Sequence, residues 1–179
     1  MPEQELSVAQ HALVTTWERH MAAEFETQSV DVTMTTMTAD PTVNHVPVMT
    51  GGVGAREVRD FYARHFIGNH PPDTTIVPLT RTVGHTRIVD ELIYRFTHTI
   101  EMPWMLPGIA PTGRHVEAAL VVVVDFVDGR ISAERIYWDQ ASLLVQLGIL
   151  NLTRLPVTGL EQARKVLDPA AVPSNTLIA

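Results

Sequence analysis

An acid sits at a chemically suggestive junction in "RISAERIYWDQASLLVQLGIL" (Arg130–Leu150). Strand-like alternation ends at Tyr137 and Trp138, Asp139 follows, and an apolar helical run begins. Asp139 has two readings, which can coexist. It is a helix N-cap, its carboxylate taking the orphan N–H donors of the first turn, or a pocket acid that moves protons. The preceding hairpin bears on the choice. If Phe126–Gly129 is a type I turn with glycine at a left-handed bulge, Phe126 pairs with Arg130. Asp139 then faces Glu117, and Tyr137 faces Ala119. Two adjacent carboxyls cannot both ionise cheaply, so one would keep a proton near neutrality. A two-residue turn would shift the register by one and send Glu117 to the other face. The bulged form is preferred because Val127 fits poorly where a positive φ is needed.

Two histidines extend the candidate set. In "ELIYRFTHTIE", His98 shares the more apolar face with Leu92, Tyr94, Phe96 and Ile100, where it is a general acid/base or a hydrogen-bonded core residue. His45 in "VNHVPVM" poses the same choice. Catalysis is therefore assigned to Asp139, Glu117 and His98, and substrate contact to His45, Tyr137, Tyr94, Phe96, Trp104 and Trp17. No metal site is assigned: there is no HExxH, and nothing in the spacing of His45, His98 and a carboxylate demands a metal triad. "GGVG" lacks the strand and phosphate-loop pattern and reads as a turn. No G-x-S-x-G marks a hydrolase serine. His70, His85 and His115 fall in turns or at strand ends.

Composition narrows the classes further. The chain has 179 residues, 45% apolar and 18% charged, a globular balance. Cysteine is absent, which removes disulfides, thiolate metal sites and cysteine nucleophiles. Thirteen basic against twenty acidic residues leave −7, the wrong sign for a phosphate-binding surface, so nucleic acid is not an expected partner. "AALVVVV" is too short to span a bilayer, and "MPEQELSVAQ" has no basic-then-apolar signal pattern. A cytoplasmic protein is expected.

The elements that must position these residues follow from periodicity. Ser7 and Gln10 make a capping box for a helix burying Leu13, Trp17, Met21 and Phe25. A short helix starts at Ser29 or Asp31 and ends at Asp40-Pro41. "GGVGAREVRDFYARHFIG" carries Val58, Phe61, Tyr62, His65 and Phe66 on one stripe, with Gly68 as terminator. Strands "TTIVPLTRTVG" and "RIVDELIYRFTHTIEM" form one hairpin, and "HVEAALVVVVDF" and "RISAERIYWD" another, turning at Asp128-Gly129. Val121–Val124 are apolar throughout, which predicts cover on both faces. Met102–Arg114, with three prolines and two glycines, reads as a flap. Beyond Leu150, Thr158 and Glu161 predict a capping box for "LEQARKVL", followed by a loose end. Helices first and strands after is an α+β order: a cone-shaped, curved, antiparallel or mixed sheet packed against N-terminal helices, around a cavity. Residues 1–150 form this domain and residues 151–179 a C-terminal extension.

The combination of "TIVPLTRTVG", "FTHTIE", "LPGIAPTGR", the "DGRI" turn and "YWDQASLLVQLG" resembles the SnoaL-like polyketide cyclases of the nuclear transport factor 2-like superfamily, over about Leu6 to Leu150. The resemblance implies a cone fold, a homodimer through the sheet, a deep pocket and no cofactor. It also implies that Asp139 matches the cyclases' general acid/base aspartate. Tyr137, Glu117 and Ala119 stand where the cyclases carry polar pocket residues, often His or Gln. The function expected is a cofactor-independent cyclase, isomerase or lyase acting on a small, largely apolar carbonyl compound. The alternative is a dimeric protein that binds a hydrophobic metabolite without converting it.

Overall fold

The structure, a computed structural model, describes residues 5–153 and 155–178. The acidic start at residues 1–4, and positions 154 and 179 of the extension, lie outside the described residues. Helix α1 (Val8–Phe25) opens on the expected capping box of Ser7 and Gln10. It buries Leu13 and Trp17, and on the same side His20 and Glu24, one turn apart. Helix α2 (Val30–Thr35) is capped by Ser29. It stops before Asp40-Pro41: strand β1 (Met37–His45) runs through the proline. The β1 pairing jumps from Met37↔Ile131 to Thr42↔Ala133, so Pro41 occupies an irregularity where no ladder N–H is required.

"GGVG" contributes a strand as well as a turn. β2 (Thr50–Val53) pairs with β1, and a Cβ on Gly51 would lie 2.0 Å from the Val43 carbonyl oxygen, so only glycine fits. Helix α3 (Gly54–Phe61) continues into a π-turn (Tyr62–Phe66), closed by Ile67 N–H donating to Tyr62 O at 3.0 Å. The wider turn brings Phe61, Tyr62 and Phe66 all inward and leaves His65 exposed, off the expected stripe.

Strands β3 (Thr75–Val83), β4 (Arg87–Thr97), β5 (His115–Val127) and β6 (Arg130–Tyr137) complete a six-stranded sheet in the order β2-β1-β6-β5-β4-β3. β1 and β6 are parallel and the other pairs antiparallel, so the sheet is mixed. Its inner face carries Leu92, Tyr94, Leu120 and Val122 against α1 and the π-turn. Val121–Val124 alternate rather than being covered throughout: Val122 and Val124 are buried, while Val121 is 37% exposed.

The β5–β6 register differs from the expected one. Asp128 and Gly129 both have positive φ (49° and 73°) and form a two-residue turn, with Val127 facing Arg130. Aspartate tolerates the left-handed region, so Val127 never has to enter it. The ladder then skips a residue: Phe126 faces Ile131, but Asp125 faces Ala133. Tyr137 therefore faces Val121, and Glu117 lies beyond the paired end of β6. The Gln146 side chain takes the vacant place, accepting from Glu117 N–H and donating to Glu117 O, both at 2.9 Å.

The flap is folded inward, with Met102, Trp104, Met105 and Leu106 buried. Thr50 Oγ1 holds it by donating to Trp104 O at 2.6 Å. Beyond the sheet, helix α4 (Gln140–Gln146) and helix α5 (Glu161–Leu167) both pack on β5. The expected Thr158–Glu161 box does not form: α5 begins after Leu160 without a side-chain cap. Gly159 O instead accepts from Ser142 Oγ (2.9 Å), tying the extension to α4.

Candidate functional site

A cavity of about 60 Å³ lies between the inner face of the sheet, α1, the π-turn and the flap. Its wall is largely apolar and aromatic, including Trp17, Phe25, Phe66 and Trp104, with Glu24, Glu134, His45, Tyr62 and Tyr94 among its polar members. Trp17 is fixed by Nε1–H donating to Asp90 at 2.8 Å, and Arg81 neutralises that carboxylate through two 2.7 Å bonds.

Three elements converge on one polar array. α1 supplies His20 and Glu24, which share a face because they are four residues apart. The π-turn supplies Tyr62. β6 supplies Glu134, and it does so because of the bulge. Ile131 points inward and Ala133 outward, so the extra residue reverses the alternation and turns Glu134 and Ile136 into the cavity.

His20 Nε2 lies 3.1 Å from Oε1 of both Glu24 and Glu134. Tyr62 OH, 3.2 Å from His20 Nε2, donates to Glu134 at 3.2 Å. On the other side of the ring, His20 Nδ1 is 2.6 Å from Thr36 Oγ1, whose own proton goes to Thr33 O, also at 2.6 Å. Thr36 must therefore accept, which fixes a proton on Nδ1 and turns Nε2 toward the two carboxyls. Burial disfavours a charged His20, but the charges of Glu134 and Glu24 and their hydrogen bonds win, raising it to about 10. His20 is an imidazolium at neutral pH. Burial likewise raises the Glu24 carboxyl, against the opposing pull of His20.

His45, at the end of β1, supplies a different kind of group. Its Nδ1 is 3.3 Å from Thr50 O, which can only accept, so Nδ1 carries the proton. Burial among Phe61, Phe66, Trp104 and Trp138 lowers His45 to about 4, against a smaller upward pull from Thr50, so the ring is neutral.

Of the residues singled out from the sequence, the structure brings His45, Tyr94, Trp104 and Trp17 to the cavity. Phe96 is fully buried in the core beside Tyr94 and is not part of the cavity wall. Asp139 and Glu117 are not brought together. Asp139 caps α4, accepting from Ala141 and Ser142 N–H (2.9 and 3.2 Å) and from Gln162 Nε2 (2.8 Å), and does not line the cavity. The bulge makes 134, 136 and 138 the inward positions, so position 139 falls on the other side. Glu117 is on the outer face, bonded to Arg95 at 3.1 Å. Tyr137 is on that face too, 40% exposed. His98 is buried outside the cavity, its Nδ1 accepting from Thr112 N–H at 3.3 Å.

Sequence reasoning missed His20, Glu24, Tyr62 and Glu134. The His20–Glu24 spacing was a readable signal: a pair of titratable residues on the apolar side of an amphipathic helix. Glu134 gave none without the bulge. His20, Glu24 and Glu134, with ligand atoms within 4.8 Å of one another, are also the described residues with spacing suited to a metal ion. Among the described residues no helix is long and apolar enough to cross a membrane.

The profile of the SnoaL-like domain family matches residues 17–134, more than half of the chain. No curated protein matches the sequence significantly. Similar solved structures include a protein assigned as a SnoaL-like polyketide cyclase from Jannaschia sp. CCS1 (20% identity, TM-score 0.66, covering 83% of this chain and 99% of that one). TsrD from Streptomyces laurentii is similar at 18% identity, TM-score 0.62, with 82% and 100% covered. AclR from Streptomyces galilaeus, assigned as a hydroxylase, is similar at 19% identity, TM-score 0.59, with 79% and 88% covered. At these identities the likeness is one of fold.

Proposed function

The chain belongs to the SnoaL-like domain family, and from that premise we propose that it is an enzyme acting on a small, largely apolar carbonyl compound in the cone. Glu134 serves as base. The observation that supports this best is that two buried carboxyls lining an apolar cavity are bridged from behind by one imidazole, 3.1 Å from each. The other carboxyl, Glu24, is raised by burial against the pull of His20. Glu134 takes a proton from the carbon next to the carbonyl. The His20 imidazolium stays beside both groups and steadies the negative charge as it moves from base to enolate. Tyr62 OH orients Glu134, and neutral His45 adds a polar contact on an otherwise aromatic wall. The chemistry is proton transfer alone and calls on no cofactor. Self-association through the outer face of the sheet, where Val121 and Tyr137 are exposed, is part of the same proposal.

Exchange of the α-protons of cyclopentanone into heavy water, followed by proton NMR, tests the assignment. The protein should accelerate exchange, and Glu134→Gln should lower the rate ~100-fold, the size of a general acid–base contribution. Equal rates in the two proteins remove Glu134 from the role. A second reading has its own observation. The two carboxyls, His20 and Tyr62 satisfy one another, as they would in a buried knot that only ties α1 to β6 around a site for a hydrophobic metabolite. Binding of the ketone without accelerated exchange by the wild-type protein favours that reading.

A further inference from the structure

The cavity is small for the wall that surrounds it. Its free space is about 60 Å³, well under the ~150 Å³ of an apolar cavity that accepts a benzene ring. Met21, Phe25 and Ile76 are the lining residues with some exposure to solvent; the others are buried. A ligand with one ring therefore fits only as these three yield, Met21 most readily because its thioether chain is unbranched. A second fused ring needs room on the buried side.

Two indoles, each the size of two fused rings, line that buried side. Trp17 belongs to α1 and is bonded across to Asp90 of β4, so the scaffold itself fixes it. Trp104 is delivered by the flap, which has neither helix nor strand over residues 102–114. Its ring centroid lies 5.0 Å from Phe66, 5.2 Å from His45 and 5.8 Å from Tyr94, all of them cavity residues. Its Nε1–H donates to Asn69 O at 3.2 Å, so the cavity meets only the apolar ring. The course of the flap has anchors besides the indole. Thr50 Oγ1 holds the Trp104 carbonyl (2.6 Å) and Gln140 Nε2 the Met105 carbonyl (3.2 Å), backbone acceptors that any residue at 104 retains.

We propose that Trp104 is the specificity-determining residue of the cone: it limits the ligand to a single ring, or a chain of similar bulk, and excludes ketones with two fused rings. The substrate class is then a compact monocyclic or short acyclic ketone. This rests on the cavity being the ligand site, as in the proposed function.

The test compares cyclopentanone with 2-decalone, a ketone of two fused rings, by isothermal titration of the full-length protein. The wild type should bind cyclopentanone at least ~10-fold more tightly, since forcing extra methylenes into a packed interior is unfavourable. Trp104→Ala should reverse the order, about 10-fold in favour of 2-decalone, because the vacated space buries the second ring. Trp104→Leu, which keeps more of the packing, should bring the two affinities within about 2-fold. Trp138 packs against Trp104 (6.4 Å between ring centroids) without lining the cavity, so Trp138→Phe should keep the wild-type order and controls for general loosening. A wild type that binds 2-decalone as tightly as cyclopentanone, a wild-type order that persists in a folded Trp104 variant, or a reversal in Trp138→Phe as well overturns the size limit. Binding of neither ketone removes the cavity as the ligand site and the limit with it. Accelerated cyclopentanone exchange without the size order leaves proton transfer standing and the limit wrong, and the size order without exchange does the reverse.

Discussion

The two nitrogens of the His20 ring do different work. Nδ1 is pinned to Thr36, and Nε2 bridges two carboxyls that would otherwise repel each other across the cavity wall. Asp139 shows the opposite outcome. It has the residue type and position of a pocket acid, yet all its bonds serve helix α4 and the extension. Asp139→Asn should therefore leave ketone exchange unchanged and cost only a few tenths of a kcal/mol, since asparagine caps nearly as well, whereas Asp139→Ala should cost about 1 kcal/mol. Chemical denaturation of the two variants checks this, and a large loss of exchange in Asp139→Asn would contradict it. From sequence, Asp139 was legible as a cap. Its direction was not, because that depended on whether the alternation of β6 continues unbroken, and no single residue declares a bulge.

At the scale of elements, the secondary structure was largely legible and the register was not. The capping box of α1, the start of α2 at Ser29, and both hairpins follow from side-chain chemistry acting over three or four residues. What went astray involved longer reach or a local exception. Pro41 continues a strand because the β1–β6 ladder skips there. Glu134 turns inward because Ser132 is an extra residue between Ile131 and Ala133. The sheet edge left by the short β6 makes a further expectation. The Gln146 amide stands in for a strand residue against Glu117, so Gln146→Ala should lower unfolding free energy by about 1–3 kcal/mol by stranding one N–H and one carbonyl. Hydrogen exchange should then accelerate at Glu117 N–H and its neighbours ahead of the rest of β5. Uniform protection across β5 would show that the amide contributes nothing.

For the whole molecule, the α+β cone and its family were legible from the order of elements and the motifs that close the sheet, while the polar array depended on three elements meeting. Its burial has a global consequence. His45 and His70 bind protons only near pH 4 when folded but near their ordinary 6.5 when unfolded. Between those values the unfolded chain holds more protons, so stability should fall as pH drops from 6.5 to 4, by on the order of a few kcal/mol. His20 works with the opposite sign: its folded value is raised to about 10, so its contribution is complete below 6.5 and is lost as pH rises through 10. Melting temperature against pH should accordingly peak between the two limits, and a flat profile from pH 7 to 4 would show that the rings are not held neutral in a dry interior. The most direct test of the central claim, a charged imidazole clamped between two cavity carboxyls, is a nitrogen-15 NMR titration of His20. Both ring nitrogens should stay protonated from neutrality to near pH 10, whereas a ring that loses its proton near 6.5 would contradict the clamp and the proton-transfer function built on it.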